Sequence, residues 1–164
     1  MSTYSNASGH VAADPIGHLN AKILVVNDSS DSRVVLGRFL YSMGATVATA
    51  EEGQSACRLV TEAAASGKPF DIVLMDLQMP VMDGFEATAN LRENGYRGRI
   101  VALTASGEDA DRVRCLQTGF CDDFARMPIA FEALFDLVKR NLHPPTLPTR
   151  YSSHRPMGRT TRVA

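Results

Sequence analysis

Apolar residues fall along the chain in short blocks that alternate between two periods. Lys22-Ile23-Leu24-Val25-Val26 is a run that predicts a strand, and it stops at Asn27-Asp28. From Ser29 to Met43 the apolar positions are 34, 35, 36, 39, 40 and 43, the spacing of a helix face, with Gly44 as the stop. Thr46–Ala50 predicts a second strand and Gly53–Ala65 an alanine-rich second helix. Phe70–Met75 predicts a third strand running into Asp76, and Phe85–Leu91 a third helix. Ile100–Thr104 and Asp109–Gln117 read as the fourth strand and helix. Asp123–Ala125 is a short fifth strand, and Phe131–Leu142 a fifth helix that Pro144-Pro145 brings to an end.

The first, third and fourth of these strands are nearly continuous apolar runs. Such runs suit parallel strands covered on both faces. Strict alternation of strand and helix then implies an open α/β sheet with right-handed crossovers. In sheets of this kind chemistry collects at the carboxyl ends of the strands.

Those ends carry polar groups that could converge: Asn27 and Asp28 after the first strand, Asp76 after the third and Thr104 after the fourth. Arg126-Met127-Pro128 follows the fifth. Either acid alone reads more simply as a helix cap or a strand terminus. At adjacent strand ends the pair reads as a site. Two neighbouring carboxylates repel, and a hard cation with oxygen ligands, such as Mg²⁺, relieves the repulsion.

The run Asp76-Leu77-Gln78-Met79-Pro80-Val81-Met82-Asp83-Gly84-Phe85-Glu86-Ala87 resembles the phosphoacceptor loop of response-regulator receiver domains of two-component systems. It is most similar to receivers attached to hybrid histidine kinases. Ile23–Asp28, Ala102–Ala105 and Gly119–Ile129 resemble other signature segments of the family, so the likeness spans about residues 21–142. It implies a flavodoxin-like (βα)5 fold, a doubly wound five-stranded parallel sheet in the order 2-1-3-4-5. It implies Asp76 as phosphoacceptor, Thr104 as the switch hydroxyl and Phe124 as the switch aromatic, although Phe124 reads equally as a core residue. It also implies Mg²⁺ held by Asp28, Asp76 and the backbone carbonyl of Gln78, with Asn27 reaching it through a water. The Met127–Pro128 bond is expected cis; the usual trans preference before proline is only about 0.5–1 kcal/mol.

Two positions depart from the family pattern. The first acidic position is Asn27, which adds no charge. Anchoring on Asp122-Asp123-Phe124 and on Pro128 puts Met127 at the usual lysine position; counting from Gly119 would put Arg126 there. Two agreeing anchors favour Met127. Loss of one carboxylate and one ammonium leaves the formal charge of the site unchanged, so a weakened grip on Mg²⁺ is expected. The missing ammonium removes a charge-assisted bond to a phosphoryl oxygen, about 1.5–3 kcal/mol.

Charge is unevenly spread. Residues 21–140 hold 13 Lys and Arg against 17 acids, whereas residues 141–164 add four arginines and no acid. An acidic core argues against direct nucleic-acid binding. Residues 1–20 read as a flexible leader, 21–142 as the receiver, and 143–164 as a basic, proline-containing disordered tail. Cys57, Cys115 and Cys121 fit neither a zinc pattern nor a disulfide framework, and free thiols suit a cytoplasmic location. There is neither a signal peptide nor an apolar stretch of membrane-spanning length.

The resulting expectation is a receiver that takes a phosphoryl group on Asp76 from a histidine kinase or phosphotransfer protein, with impaired chemistry. It would be at most a self-phosphorylating and self-dephosphorylating acceptor rather than a conventional enzyme. Its downstream protein partner would use the face made by the fourth helix, fifth strand and fifth helix. The alternative is a degenerate receiver that works as a phosphorylation-independent interaction module; Asn27 and Met127 favour it. A flavodoxin-type cofactor binder fails for want of a phosphate cradle after the first strand, where Ser29-Ser30-Asp31 carries an acid.

Overall fold

A computed structural model describes residues 18–105 and 109–143, with backbone alone described for 109–112. Five strands, β1 (Lys22–Val26), β2 (Thr46–Ala50), β3 (Ile72–Asp76), β4 (Arg99–Thr104) and β5 (Asp123–Arg126), form one parallel sheet in the order β2-β1-β3-β4-β5. Helices α1 (Ser30–Ser42), α2 (Gly53–Ala65), α3 (Gly84–Glu93), α4 (Asp109–Gln117) and α5 (Phe131–Leu142) follow the strands in turn. This is the flavodoxin-like architecture that the alternating pattern predicts.

Strand side chains alternate between faces, so β1 feeds two cores. Ile23 and Val25 join Leu74, Leu103, Leu36, Leu40, Leu134 and Val138 on the α1–α5 side. Leu24 and Val26 join Val73, Met75, Ile100, Val60, Ala87 and Leu91 on the α2–α3 side. All four of these β1 residues are fully buried.

Local chemistry sets the element ends. The Ser29 hydroxyl caps α1 by accepting from Ser32 N–H at 3.3 Å, and the Asp83 carboxylate caps α3 by accepting from Glu86 N–H at 2.8 Å. Gly44, at φ 89°, turns the chain out of α1. Several boundaries differ from the pattern by one or two residues. β3 begins at Ile72, two residues later than its apolar run; α3 runs on to Glu93; and β5 extends to Arg126, paired with Thr104.

The ordered fold also starts earlier than Ala21. Leu19 is buried in the first core, and its N–H donates to Met43 O at 2.7 Å. The small polar residues around it conceal one apolar anchor. Residues 1–17 of the expected leader, and all of the expected tail except His143, lie outside the described residues.

The expectation of three free thiols is corrected. Cys115 and Cys121 form a disulfide, with Cα atoms 5.4 Å apart, and Cys57 is the free cysteine among the described residues. A spacing of six does not announce this pairing. It arises because α4 stops at Gln117 and Gly119, at φ 71°, reverses the chain, so that Cys121 N–H donates to Cys115 O at 3.3 Å. Among the described residues no helix is long and apolar enough to cross a membrane.

Candidate functional site

Sheet register assembles the site. Val26 pairs with Met75, so the residues that follow, Asn27 and Asp76, leave adjacent strands at the same level. Asp76 pairs with Leu103 and Thr104 with Arg126, which lines the ends of β4 and β5 along the same rim.

Asp76 is half-buried, and both carboxylate oxygens are engaged. Oδ1 accepts from its own loop, Gln78 N–H, at 2.9 Å; Oδ2 accepts from Asn27 Nδ2 at 2.8 Å. Burial pushes the Asp76 carboxyl above its ordinary value; the Gln78 N–H opposes this, and the negative charge of Asp28 adds to it. Asp28 itself is exposed.

Asn27 is 4% exposed and held on every side. Its Oδ1 accepts from Ser29 N–H at 2.9 Å, its backbone N–H donates to Ala50 O at 3.1 Å, and its carbonyl accepts from Arg33 Nη1 at 2.6 Å. The side-chain nitrogen goes straight to Asp76 and the side-chain oxygen to a backbone donor.

Arg33 does not stand out in the sequence pattern. Its guanidinium donates to the carbonyls of Asn27 and of Asp28, the latter at 3.0 Å, and lies 3.8 Å from Glu51 Oε2. One signal could have found it: a cation in the first turns of a helix opposes the helix dipole and calls for a partner.

The loop after Asp76 folds back on β3. Leu77 N–H donates to Leu103 O at 3.0 Å, and Gly84 N–H to Leu77 O at 3.2 Å. A side chain at Gly84 would collide with the Asp76 carbonyl oxygen and come within 2.7 Å of Leu77 Cα. Val81 at the tip is 91% exposed and sits at φ 70°, in the left-handed region.

Thr104 is fully buried, and its carbonyl accepts from Met127 N–H at 2.8 Å. The Met127 side chain packs, half-buried, against the α1–α5 core, and the Met127–Pro128 bond is cis. Arg126 is exposed at the last position of β5, one residue before Met127. Phe124, opposite Ala102, packs in a third cluster with Leu77, Phe85 and the Cys115–Cys121 pair. The expected site residues therefore divide. Hydrogen bonds join Asn27, Asp76 and Gln78, with Asp28 next to Asn27 in the chain; Thr104 ends β4; Phe124 and Met127 join packing clusters.

Among the described residues no three His, Cys, Asp or Glu side chains gather as a metal cluster. Two repelling carboxylates, one of them open to solvent, still suit a hard cation that keeps most of its own waters.

Residues 23–139 match the profile of the response regulator receiver domain. The two-component response regulator ORR41 of Oryza sativa subsp. japonica is 43% identical over 115 residues, 69% of this chain and 87% of the rice protein. The osmosensing histidine protein kinase SLN1 of Saccharomyces cerevisiae is 36% identical over 121 residues, 73% of this chain and only 10% of that kinase. Among solved structures, the receiver domain of sensor histidine kinase PA1611 from Pseudomonas aeruginosa PAO1 has a TM-score of 0.64 and 34% identity. The match covers 76% of this chain and 98% of that one, which carries a magnesium ion coordinated in its active-site cleft.

Proposed function

The chain belongs to the response regulator receiver domain family, and from that premise we propose that Asp76 accepts a phosphoryl group from a phosphohistidine on a histidine kinase or phosphotransfer protein. One observation carries the proposal: the half-buried Asp76 carboxylate stands at the end of central strand β3, oriented by two hydrogen bonds. An Asp76 oxygen attacks phosphorus in line, the new O–P bond forms as the P–N bond to the donor imidazole breaks, and the imidazole keeps the electron pair. Asp28, Asp76 and the Gln78 carbonyl would hold Mg²⁺, which supplies positive charge opposite the phosphoryl oxygens. Thr104 donates its hydroxyl to a phosphoryl oxygen, and Phe124 follows the resulting movement of β4.

The chemistry is impaired relative to a site with lysine. Met127 offers no charge, so the phosphorylated form lacks a bond worth about 1.5–3 kcal/mol. Signal leaves through a protein partner on the α4–β5–α5 face, in the cytoplasm and without direct contact with nucleic acid, as the acidic core favours.

A second reading, a phosphorylation-independent interaction module, is supported by one contact: Asn27 already donates a hydrogen bond to Asp76 Oδ2. Titration with beryllofluoride and Mg²⁺, followed by NMR of the backbone amides around Asp76 and Thr104, separates the two. The phosphoacceptor reading expects saturable shifts that vanish in Asp76→Ala. Unchanged spectra in the native protein would favour the interaction module.

A further inference from the structure

We infer that Asn27 is a positioning residue that competes with a divalent cation for Asp76, so that its side-chain amide sets the metal concentration at which the acceptor becomes ready. The inference rests on the phosphoacceptor reading and gives Asn27 a role in it other than a water-mediated reach to the metal.

Three observations carry it. First, the amide cannot be turned without loss. Ser29 N–H donates to Oδ1 at 2.9 Å, which leaves Nδ2 as the group that faces Asp76 Oδ2 at 2.8 Å. Secondly, the residue is held in place. It is 4% exposed, its backbone N–H is tied to Ala50 O, and Arg33 holds its carbonyl. Thirdly, Asp76 Oδ1 is turned to Gln78 N–H, so Oδ2 is the oxygen on the Asn27 side, and a cation that approaches along the lone pair used by the amide displaces it. An aspartate at position 27 would set oxygen against oxygen at this distance. Asparagine turns that repulsion into a hydrogen bond and so partly does the work of a cation in the metal-free protein. Met127, whose side chain lies in the α1–α5 core, gives Asp76 no charge.

The bond joins a neutral donor to a charged acceptor, a class strong enough to shift a binding equilibrium about tenfold. The test is Mg²⁺ titration by calorimetry of the native protein, Asn27→Ala and Asn27→Asp, with NMR of the Asn27 side-chain NH₂ group in the native protein. Competition predicts that Asn27→Ala binds Mg²⁺ about tenfold more tightly than the native protein, despite losing a polar group. It also predicts that the NH₂ resonance moves in step with Mg²⁺ occupancy. Asn27→Asp, which adds a carboxylate, binds more tightly still.

Equal or weaker Mg²⁺ binding by Asn27→Ala would overturn the competition while leaving the metal site intact, because Asn27→Asp would still bind. Should Asn27→Ala fail to fold, an NH₂ resonance indifferent to Mg²⁺ in the native protein overturns the competition in its place. Absence of Mg²⁺ binding in all three proteins would overturn the competition together with the phosphoacceptor reading beneath it.

Discussion

At the end of β1 an amide nitrogen meets a carboxylate oxygen at 2.8 Å, where the family pattern would bring two carboxylates together. The placement of Asp28, Asp76 and Thr104 at or just after strand ends was legible in the sequence, because each follows an apolar run. The Asn27 contact was not, because it depends on the rotation of an amide that Ser29 N–H fixes. Replacing Met127 with lysine should restore the missing charge-assisted bond. Met127→Lys is expected to raise the phosphorylated fraction at a fixed acetyl phosphate concentration by about tenfold, measured by phosphate-affinity electrophoresis; no gain would place position 127 out of reach of the phosphoryl group.

Asp123 gives a separate prediction. Burial acts to raise its carboxyl, but bonds from Arg140 Nε and Asn141 Nδ2, both at 2.7 Å, and from Phe124 N–H outweigh it and hold it below its ordinary value. A carboxyl lowered in the folded state adds stability that is fully present above its unfolded pKa and is lost as pH falls through the folded one. The stability gap between the native protein and Asp123→Asn should therefore be widest near neutrality and close as the pH falls below the usual carboxylate range. Urea unfolding at a series of pH values measures it, and a gap independent of pH would show that ionisation of Asp123 plays no part.

Elements were easier to place than their junctions. Alternation between strand and helix periods located all five βα units, since β1, β3 and β4 are buried on both faces and carry no polar interruption until their ends. The loop from Asp76 to Gly84 follows steric rules that periodicity does not express. Gly84→Ala forces a methyl group onto the Asp76 carbonyl, and such overpacking costs about 1–3 kcal/mol. Thermal unfolding should show that loss, and Mg²⁺ affinity should fall with it, because the same peptide orients the acceptor. Val81 behaves in the opposite sense. A β-branched residue at φ 70° is strained, and Val81→Gly should stabilise the fold by about 0.5–1 kcal/mol after the entropic cost of glycine. A destabilised Val81→Gly would mean that the exposed valine makes a contact worth more than its strain.

Seen whole, the molecule places the candidate site on one rim of its parallel sheet. The Cys115–Cys121 link and Phe124 share a small cluster with Leu77, the residue after Asp76, so the α4–β5 corner packs against the loop of the candidate site. That connection was hidden in the sequence, because it needs the reversal at Gly119. Leu19 was hidden for a related reason: one apolar residue among small polar ones has no period.

The proposed signalling is covalent chemistry at a single carboxylate, and intact-protein mass spectrometry after incubation with acetyl phosphate and Mg²⁺ reads that chemistry most directly. The predicted result is a mass gain of one phosphoryl group that requires Mg²⁺, is lost on treatment with hydroxylamine and is absent from Asp76→Ala. An unchanged mass in the native protein, or a gain that persists in Asp76→Ala, would contradict it.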